Sequence, residues 1–282
     1  MSRQHTVRRD SEDALTLYGY SRGEPSMDKL DTILDLDTED HLGRRVAYQV
    51  PVTAYPTDSN VIIVNSPGSG EFKDGRGDRW MKLGRHLQER NMAAMVTYNA
   101  PRPDGLVQLE WEPYSYQGVG WNQLLVESLA HAVDWSLEHS VELCGTETPS
   151  LYLAGFSSGG SAVGAVAFRY PMVRGILLLS TYDSVGDWFY DGVTQFTGDI
   201  HLVYGNRDPI AGFLAYVLQS GPMAAASFQV REVPDCDHRF NGEANTQALT
   251  DAFYWALQNA GKIPGIGEAA SDKVDWSGAD SD

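Results

Sequence analysis

Residues 153–160, LAGFSSGG, are the most informative stretch of the sequence, because an apolar run ends there on two serines that glycines flank on both sides. Within this stretch, residues 155–159 fit the pattern G-x-S-x-G, which marks a buried strand that turns sharply into a helix. Such a turn brings neighbouring backbone close together, and glycines two residues either side of Ser157 avoid the collisions that side chains would cause. The stretch therefore predicts a strand, a tight turn with Ser157 at its tip, and a helix.

Strand and helix signals alternate on both sides of this unit. The predicted strands are RVAYQVPVTAY (45–55), VIIVN (61–65), AAMVTYN (93–99), LYLAGF (151–156), VRGILLLS (173–180), IHLVYG (200–205) and SFQVREV (227–233). The predicted helices cover residues 78–90, with Asp78 as the cap, and residues 121–139, 161–170 and about 245–260. Because strands alternate with helical crossovers, we predict an α/β fold with a mostly parallel sheet that helices cover on both faces.

The chain of 282 residues is predicted to form one domain, since it shows no internal repeat and no low-complexity linker. Residues 1–25 are polar and aperiodic and are expected to be a loosely ordered N-terminal segment. Residues 267–282, GEAASDKVDWSGADSD, are expected to be an acidic, disordered tail. The α/β domain then spans residues 26–266.

The charge balance argues against two classes of partner. The chain has 38 acidic and 21 basic residues and a net charge of −17, and five of its basic residues are lysines. A surface this negative repels nucleic acid and anionic membranes, so we expect neither as a partner. Acid-rich, lysine-poor chains are typical of high-salt cytoplasms, where salt screens the repulsion. A GC-rich genome would also explain the few lysines, though not the excess of aspartate.

The sequence predicts a cytoplasmic protein without a metal site. No run of about 18 apolar residues indicates a membrane-spanning helix, and the N-terminus lacks the apolar region of a secretory signal. Cys144 and Cys236 lie far apart with no C-x-x-C spacing. We therefore expect two free thiols rather than a disulfide or a zinc site.

The predicted turn at Ser157 is typical of a catalytic nucleophile, because it holds the hydroxyl clear of the sheet at the N-terminus of a helix. A serine hydroxyl needs a base, and the base needs an acid to orient it. His238 follows the last predicted strand and is the predicted base. Asp208 follows strand 200–205 and is the predicted acid, with Asp183 after strand 173–180 as the alternative. The order Ser157, Asp208, His238 is the one expected when a nucleophile follows a G-x-S-x-G turn.

Backbone donors for a negatively charged intermediate are predicted at two places. Ser158 directly follows the nucleophile. The second place is SPGSG, residues 66–70, which follows a buried strand and which we call the oxyanion loop. Pro67 has no N–H group, so Gly68 or Ser69 is the predicted donor in this loop. A phosphate-binding loop would need a following GK[ST], which is absent.

Taken together, residues 66–70, residues 155–159, Asp208 and His238 lie at predicted strand ends in an order that resembles the α/β-hydrolase superfamily. The resemblance covers residues 45–260 and implies a sheet of about eight strands, cofactor-free chemistry and a covalent acyl-enzyme. Many members have His-Gly in the oxyanion loop, where this chain has NSPG at 65–68. About twenty residues separate strands 173–180 and 200–205, too few for a full cap domain, so we expect an open site.

The expected partner is a small-molecule acyl substrate, and a neutral carboxylic ester is the first choice. A thioesterase, a peptidase or an acyltransferase would use the same residues, and a catalytically inactive binding module also stays open. Two aromatic-rich segments, residues 110–121 and 187–196, either line an acyl pocket or pack on their own aromatics. The sequence leaves open whether the protein forms a homo-oligomer.

Overall fold

Short apolar runs form the central strands of this protein, and amphipathic or small-residue segments form its helices. The computed structural model describes residues 29–39, 42–101, 106–108, 113–115 and 120–258, together with residues 274 and 276. The strands are β1 (Leu30–Glu39), β2 (Arg45–Tyr55), β3 (Val61–Ser66), β4 (Ala94–Tyr98), β5 (Leu106–Gln108), β6 (Pro113–Ser115), β7 (Ser150–Phe156), β8 (Val173–Leu179), β9 (Asp199–Gly205) and β10 (Ser227–Val233). The helices are α1 (Arg79–Glu89), α2 (Trp121–Glu138), α3 (Ser140–Cys144), α4 (Ser158–Val166), α5 (Asp187–Gln195), α6 (Pro209–Ser220) and α7 (Glu243–Leu257).

Eight of the strands form one sheet in the order β1-β2-β4-β3-β7-β8-β9-β10. From β4 to β10 all neighbours are parallel. Strand β2 is antiparallel to both β1 and β4. Strands β5 and β6 pair separately as a short antiparallel ladder. The prediction of a mostly parallel sheet of about eight strands is confirmed.

The core lies in two layers, one on each face of the sheet. Helices α2, α4, α5 and α6 cover one face, where Leu129 and Phe189 are fully buried. Helices α1 and α7 cover the other face, where Trp80 and Phe253 are buried. A sheet covered on both faces explains why the central strands are continuous apolar runs rather than alternating ones. The prediction of helices on both faces is therefore also confirmed.

Strand β1 was not predicted, although its sequence LDTILDLDTE alternates in the two-residue period of a strand with one exposed face. Its aspartates bond to side chains of β2: Asp35 accepts a hydrogen bond of 2.7 Å from Gln49, and Asp37 pairs with Arg45. The alternation predicted for β2 holds only in its first half. From residue 50 onward β2 is buried on both faces. At the end of β2, α1 packs on Tyr55 so closely that a Cβ at Gly84 would lie 2.3 Å from the Tyr55 ring.

The start of α1 differs from the prediction. Asp78 precedes the helix as expected, but its backbone is left-handed, with φ of 60°, and its side chain makes no capping hydrogen bond. Instead, the amides of Trp80 and Met81 donate to the backbone carbonyl of Asp74. The free amides of the first turn are thus satisfied by a backbone carbonyl, which a search for side-chain caps overlooks.

Part of the predicted disordered tail packs against the core. Val274 and Trp276 are buried in the layer formed by α1 and α7, and Trp276 is only 6% exposed. A tryptophan side chain carries a large apolar area, and its burial outweighs the polar composition around it. Both side chains therefore pack on the core, and the expectation of disorder for residues 267–282 as a whole stays a prediction. The rest of residues 267–282, and the predicted N-terminal segment 1–25, lie outside the described residues.

Across the described part of the chain, no helix is long and apolar enough to cross a membrane.

Candidate active site

The turn between β7 and α4 has the strained geometry that its glycines predict. Ser157 has φ of 56° and ψ of −122°, a conformation that costs a non-glycine residue free energy and is typical of functional sites. A Cβ at Gly155 would lie 2.5 Å from the carbonyl oxygen of Gly159, and one at Gly159 would lie 2.1 Å from the carbonyl oxygen of Ser66. The two glycines therefore allow the turn to close and to pack directly on the oxyanion loop.

The structure brings the side chains of Ser157, His238 and Asp208 into one hydrogen-bonded row. Ser157 Oγ lies 3.0 Å from His238 Nε2, and His238 Nδ1 lies 2.7 Å from Asp208 Oδ2. An ionised carboxylate can only accept hydrogen bonds. Nδ1 of the neutral ring therefore carries the hydrogen and donates a hydrogen bond to Asp208. Nε2 is then the acceptor that faces the serine hydroxyl.

Asp208 is held as a buried anion at the start of α6. Its side chain is 2% exposed, and its Oδ1 accepts the amide hydrogen of Ala211 at 3.2 Å. Burial would raise the pKa of the Asp208 carboxyl, but the hydrogen bonds from His238 and the Ala211 amide outweigh it and keep that pKa below the usual value. The carboxyl therefore stays ionised at neutral pH and fixes the orientation of the imidazole.

Two further acids near the site bond to other partners. Asp183 is exposed and accepts a hydrogen bond of 2.9 Å from the hydroxyl of Tyr190. Asp235 pairs with Arg207 at the surface. The structure thus places Asp208, and not the alternative Asp183, behind the imidazole.

His238 lies in the loop between β10 and α7, residues 234–242, which we call the histidine loop. Its side chain is 36% exposed, so the ring is accessible from one side. The ring of Phe156 lies 5.6 Å from it and that of Tyr182 lies 6.5 Å from it, centroid to centroid. Burial raises the pKa of the Tyr182 phenol, and a hydrogen bond to Ser157 partly offsets this. Sequence reasoning missed Tyr182, although it lies only three residues after the end of the parallel strand β8.

The predicted backbone donors differ in their surroundings. Ser158 is the first residue of α4, where amides have no carbonyl partner within the helix. The Gly68 amide donates to Glu71 Oε2 at 2.9 Å, so a carboxylate inside the chain already binds it. Ser69 is exposed at the tip of the oxyanion loop. Among the described residues, no carboxylate binds the amides of Ser158 and Ser69, so these two remain the predicted donors to an oxyanion.

A buried ion pair lies directly beneath this loop. Arg79 Nη2 donates to Glu71 Oε1 at 2.5 Å, and the Arg79 side chain is 6% exposed. Burial lowers the pKa of the Arg79 guanidinium, and the Glu71 carboxylate opposes that shift. No sequence pattern predicts this pair, because two charges eight residues apart usually lie on a solvated surface.

The second aromatic segment packs partly into the core. Residues 187–196 contain α5, and Phe189 and Phe196 from this segment are buried in the core rather than lining a cleft. In the first segment, the indole of Trp121 donates to the carbonyl of Pro101 at 3.1 Å. The side chains of residues 110–119 lie outside the described residues. Between β8 and β9, where every residue is described, α5 is the only helix.

Other reactive groups near the site are inert or distant. Cys144 and Cys236 are both free and buried. Cys236 lies two residues before His238, but burial raises the pKa of its thiol to about 12, so it is not a thiolate nucleophile at neutral pH. Among the described residues, no group of three or more His, Cys, Asp or Glu side chains is arranged to hold a metal ion.

Comparison with known proteins shows the fold. No protein-family model matches the sequence, and a search of curated proteins returns no match. The structure is similar to that of a dienelactone hydrolase from Anabaena variabilis, with 16% identity and a TM-score of 0.58 over 80% of this chain and 98% of that chain. It is also similar to a cold-adapted esterase from an Arctic intertidal metagenomic library, with 15% identity and a TM-score of 0.55 over 88% and 100% of the two chains.

A third similar structure is carboxyl esterase 2 from the mycorrhizal fungus Tuber melanosporum, with 16% identity and a TM-score of 0.52 over 87% of this chain and 89% of that one. The chain therefore has the α/β-hydrolase fold. At these low identities, the likeness is one of fold.

Proposed function

We propose that the protein is a serine hydrolase that cleaves small carboxylic esters through an acyl-enzyme. The observation that carries this proposal is the row Ser157–His238–Asp208, with contacts of 3.0 Å and 2.7 Å at the tip of a strained turn. A nucleophile, a base and an orienting acid within hydrogen-bond reach are the arrangement that activates a serine.

In the acylation step, Ser157 Oγ attacks the ester carbonyl carbon and its proton passes to His238 Nε2. The carbonyl oxygen becomes an oxyanion, which the amides of Ser158 and Ser69 stabilise. The intermediate then breaks the bond to the alcohol oxygen, which leaves with the proton held on Nε2. Asp208 stays ionised and stabilises the imidazolium ion between these two proton transfers.

In the deacylation step, a water molecule replaces the alcohol. Its proton goes to His238 Nε2 while its oxygen attacks the acyl carbon. The second intermediate releases Ser157 Oγ, which takes the proton back, and the acid departs. No cofactor takes part in either half-reaction.

Two observations favour a small ester. The segment between β8 and β9 holds only α5, so no cap domain inserted there restricts access to Ser157. Structures with the same fold include an esterase and a carboxyl esterase. Thioesters, amides and acyl transfer to an alcohol need the same three side chains, so a substrate panel must separate them.

Turnover of p-nitrophenyl acetate tests the proposal. We expect wild-type hydrolysis that falls by at least about a thousandfold in both Ser157→Ala and His238→Ala. His139→Ala, at the end of α2 and away from the site, is the matched control and should keep wild-type turnover. A folded wild type without hydrolysis of ester, thioester or anilide probes would instead favour an inactive binding module.

A further inference from the structure

The Glu71 carboxylate connects the oxyanion loop to α1. Its Oε2 accepts the Gly68 amide hydrogen at 2.9 Å and the indole hydrogen of Trp80 at 3.2 Å. Its Oε1 accepts from Arg79 at 2.5 Å. Three donors therefore converge on one side chain that is 18% exposed. Hydrogen bonds to an ionised acceptor are stronger than neutral ones, so the backbone at Gly68 is held firmly.

Arg79 extends this connection to the other two loops of the site. Its Nη1 donates to the backbone carbonyl of Arg239, the residue after His238, at 3.1 Å. Its guanidinium also lies 4.1 Å from the ring centre of Phe156, the residue before the nucleophile, and 4.6 Å from that of Trp80. One buried cation thus contacts the histidine loop and the nucleophile turn directly and reaches the oxyanion loop through Glu71.

Stability by itself does not explain a buried pair at this place. Burying two charges costs desolvation energy, and a well-packed apolar pair is often as stable or more stable. A pair of apolar side chains could not accept the Gly68 amide hydrogen or donate to the Arg239 carbonyl. These two backbone contacts are what the charges add.

We propose that Glu71 and Arg79 form a positioning pair that sets the spacing of the oxyanion loop and the histidine loop around Ser157. The inference rests on the proposed hydrolase function and extends it. The Glu71 carboxylate lies beside the loop that stabilises negative charge, and by itself it would oppose that charge. Arg79 neutralises it, so the pair orders the loop without an electrostatic penalty to the reaction.

Single and double variants separate positioning from stability. Glu71→Gln and Arg79→Met each remove one partner, and we expect kcat to fall about 10- to 100-fold with KM within about threefold of wild type. The double variant Glu71→Leu/Arg79→Met replaces both charges by apolar groups, leaves no charge unpaired and should have a higher Tm than either single variant. Its kcat should nevertheless stay low, because the Gly68 and Arg239 contacts are still lost.

The matched control is Asp235→Asn, which breaks the exposed pair with Arg207 in the same histidine loop. That pair is 2.6 Å long, but its partners are 64% and 83% exposed, so its loss should leave kcat within about twofold. All rates are expressed per active site titrated with a fluorophosphonate, which removes the unfolded fraction from the comparison. If the double variant does not fold, Glu71→Gln against Asp235→Asn decides the question on the same basis.

Two kinetic results would overturn the positioning role: a double variant whose kcat recovers together with its Tm, or a Glu71→Gln variant as active as Asp235→Asn. Hydrogen exchange at the Gly68 amide gives a readout that needs no substrate. We expect exchange there to speed up at least about tenfold in Glu71→Leu/Arg79→Met. The hydrolase function is contradicted if the wild type neither turns over esters nor reacts with the fluorophosphonate. The positioning role is contradicted if exchange at the Gly68 amide is slow in wild type and equally slow in the variants.

Discussion

Replacing Gly159 by alanine should push the nucleophile turn away from the oxyanion loop. The added Cβ would lie 2.1 Å from the carbonyl oxygen of Ser66 and 2.3 Å from that of Pro67. Carbon and oxygen approach each other to about 3.3 Å at closest, so one backbone or the other must move by about 1 Å. Both obstacles are backbone atoms, and no side-chain rotation relieves the contact.

The shift should show in activity and in stability. A displacement of about 1 Å at reacting groups costs about a hundredfold in rate, and overpacking a tight contact costs about 1–3 kcal/mol of the free energy of unfolding. The assays are p-nitrophenyl acetate turnover and urea unfolding. Gly120→Ala is the control, because a Cβ there meets no atom of the described residues within 4 Å and its φ is −67°. A Gly159→Ala protein as active and stable as Gly120→Ala would refute the close packing on which the site depends.

Three further predictions follow from the same structure. Asp208→Asn should lower kcat by about 10³- to 10⁴-fold, because an amide no longer fixes the imidazole tautomer. The kcat of Asp183→Asn should stay within about twofold of wild type. Steady-state kinetics that show the opposite order would make Asp183 the acid. His201→Leu should raise the free energy of unfolding by about 1–2 kcal/mol at pH 7, since neither ring nitrogen of His201 has a hydrogen-bond partner among the described residues. Burial lowers the pKa of His201, so the unfolded chain binds more protons than the folded one, and the free energy of unfolding of the wild type falls as the pH drops below about 6.5. Urea unfolding at pH 7 and pH 5 should show a smaller fall in that free energy for His201→Leu than for wild type. An equal fall in the two proteins would contradict this. Trp276→Ala should cost about 3 kcal/mol in the same assay, and an unchanged midpoint would mean that this segment adds nothing to the core.

The fold and the three central side chains follow from local patterns. A buried strand that ends in G-x-S-x-G predicts the turn that follows it. Its glycines are required because the backbone there lies close to residues nearby in the chain and to one neighbouring loop. Asp208 and His238 were found because the ends of parallel strands meet at one edge of the sheet. Their position in the chain therefore predicts their proximity without knowledge of side-chain packing.

The remaining features depend on contacts between distant segments. Arg79 bonds to the carbonyl of Arg239, 160 residues away, and no sequence period announces such a contact. Glu71 and Gly68 are only three residues apart, but their hydrogen bond depends on the conformation of the oxyanion loop, which no sequence period predicts. Strand β1 is a different case, because its alternating pattern was present in the sequence and could have been found.

The central claim is that Ser157 is an activated nucleophile, and covalent labelling tests it most directly. The folded protein is treated with a fluorophosphonate and digested, and the adduct is located by mass spectrometry. The account predicts one adduct on Ser157, none on Ser158, and no labelling of the Ser157→Ala variant. A folded wild type that stays unlabelled, or a Ser157→Ala variant that labels as fast as wild type, would contradict it.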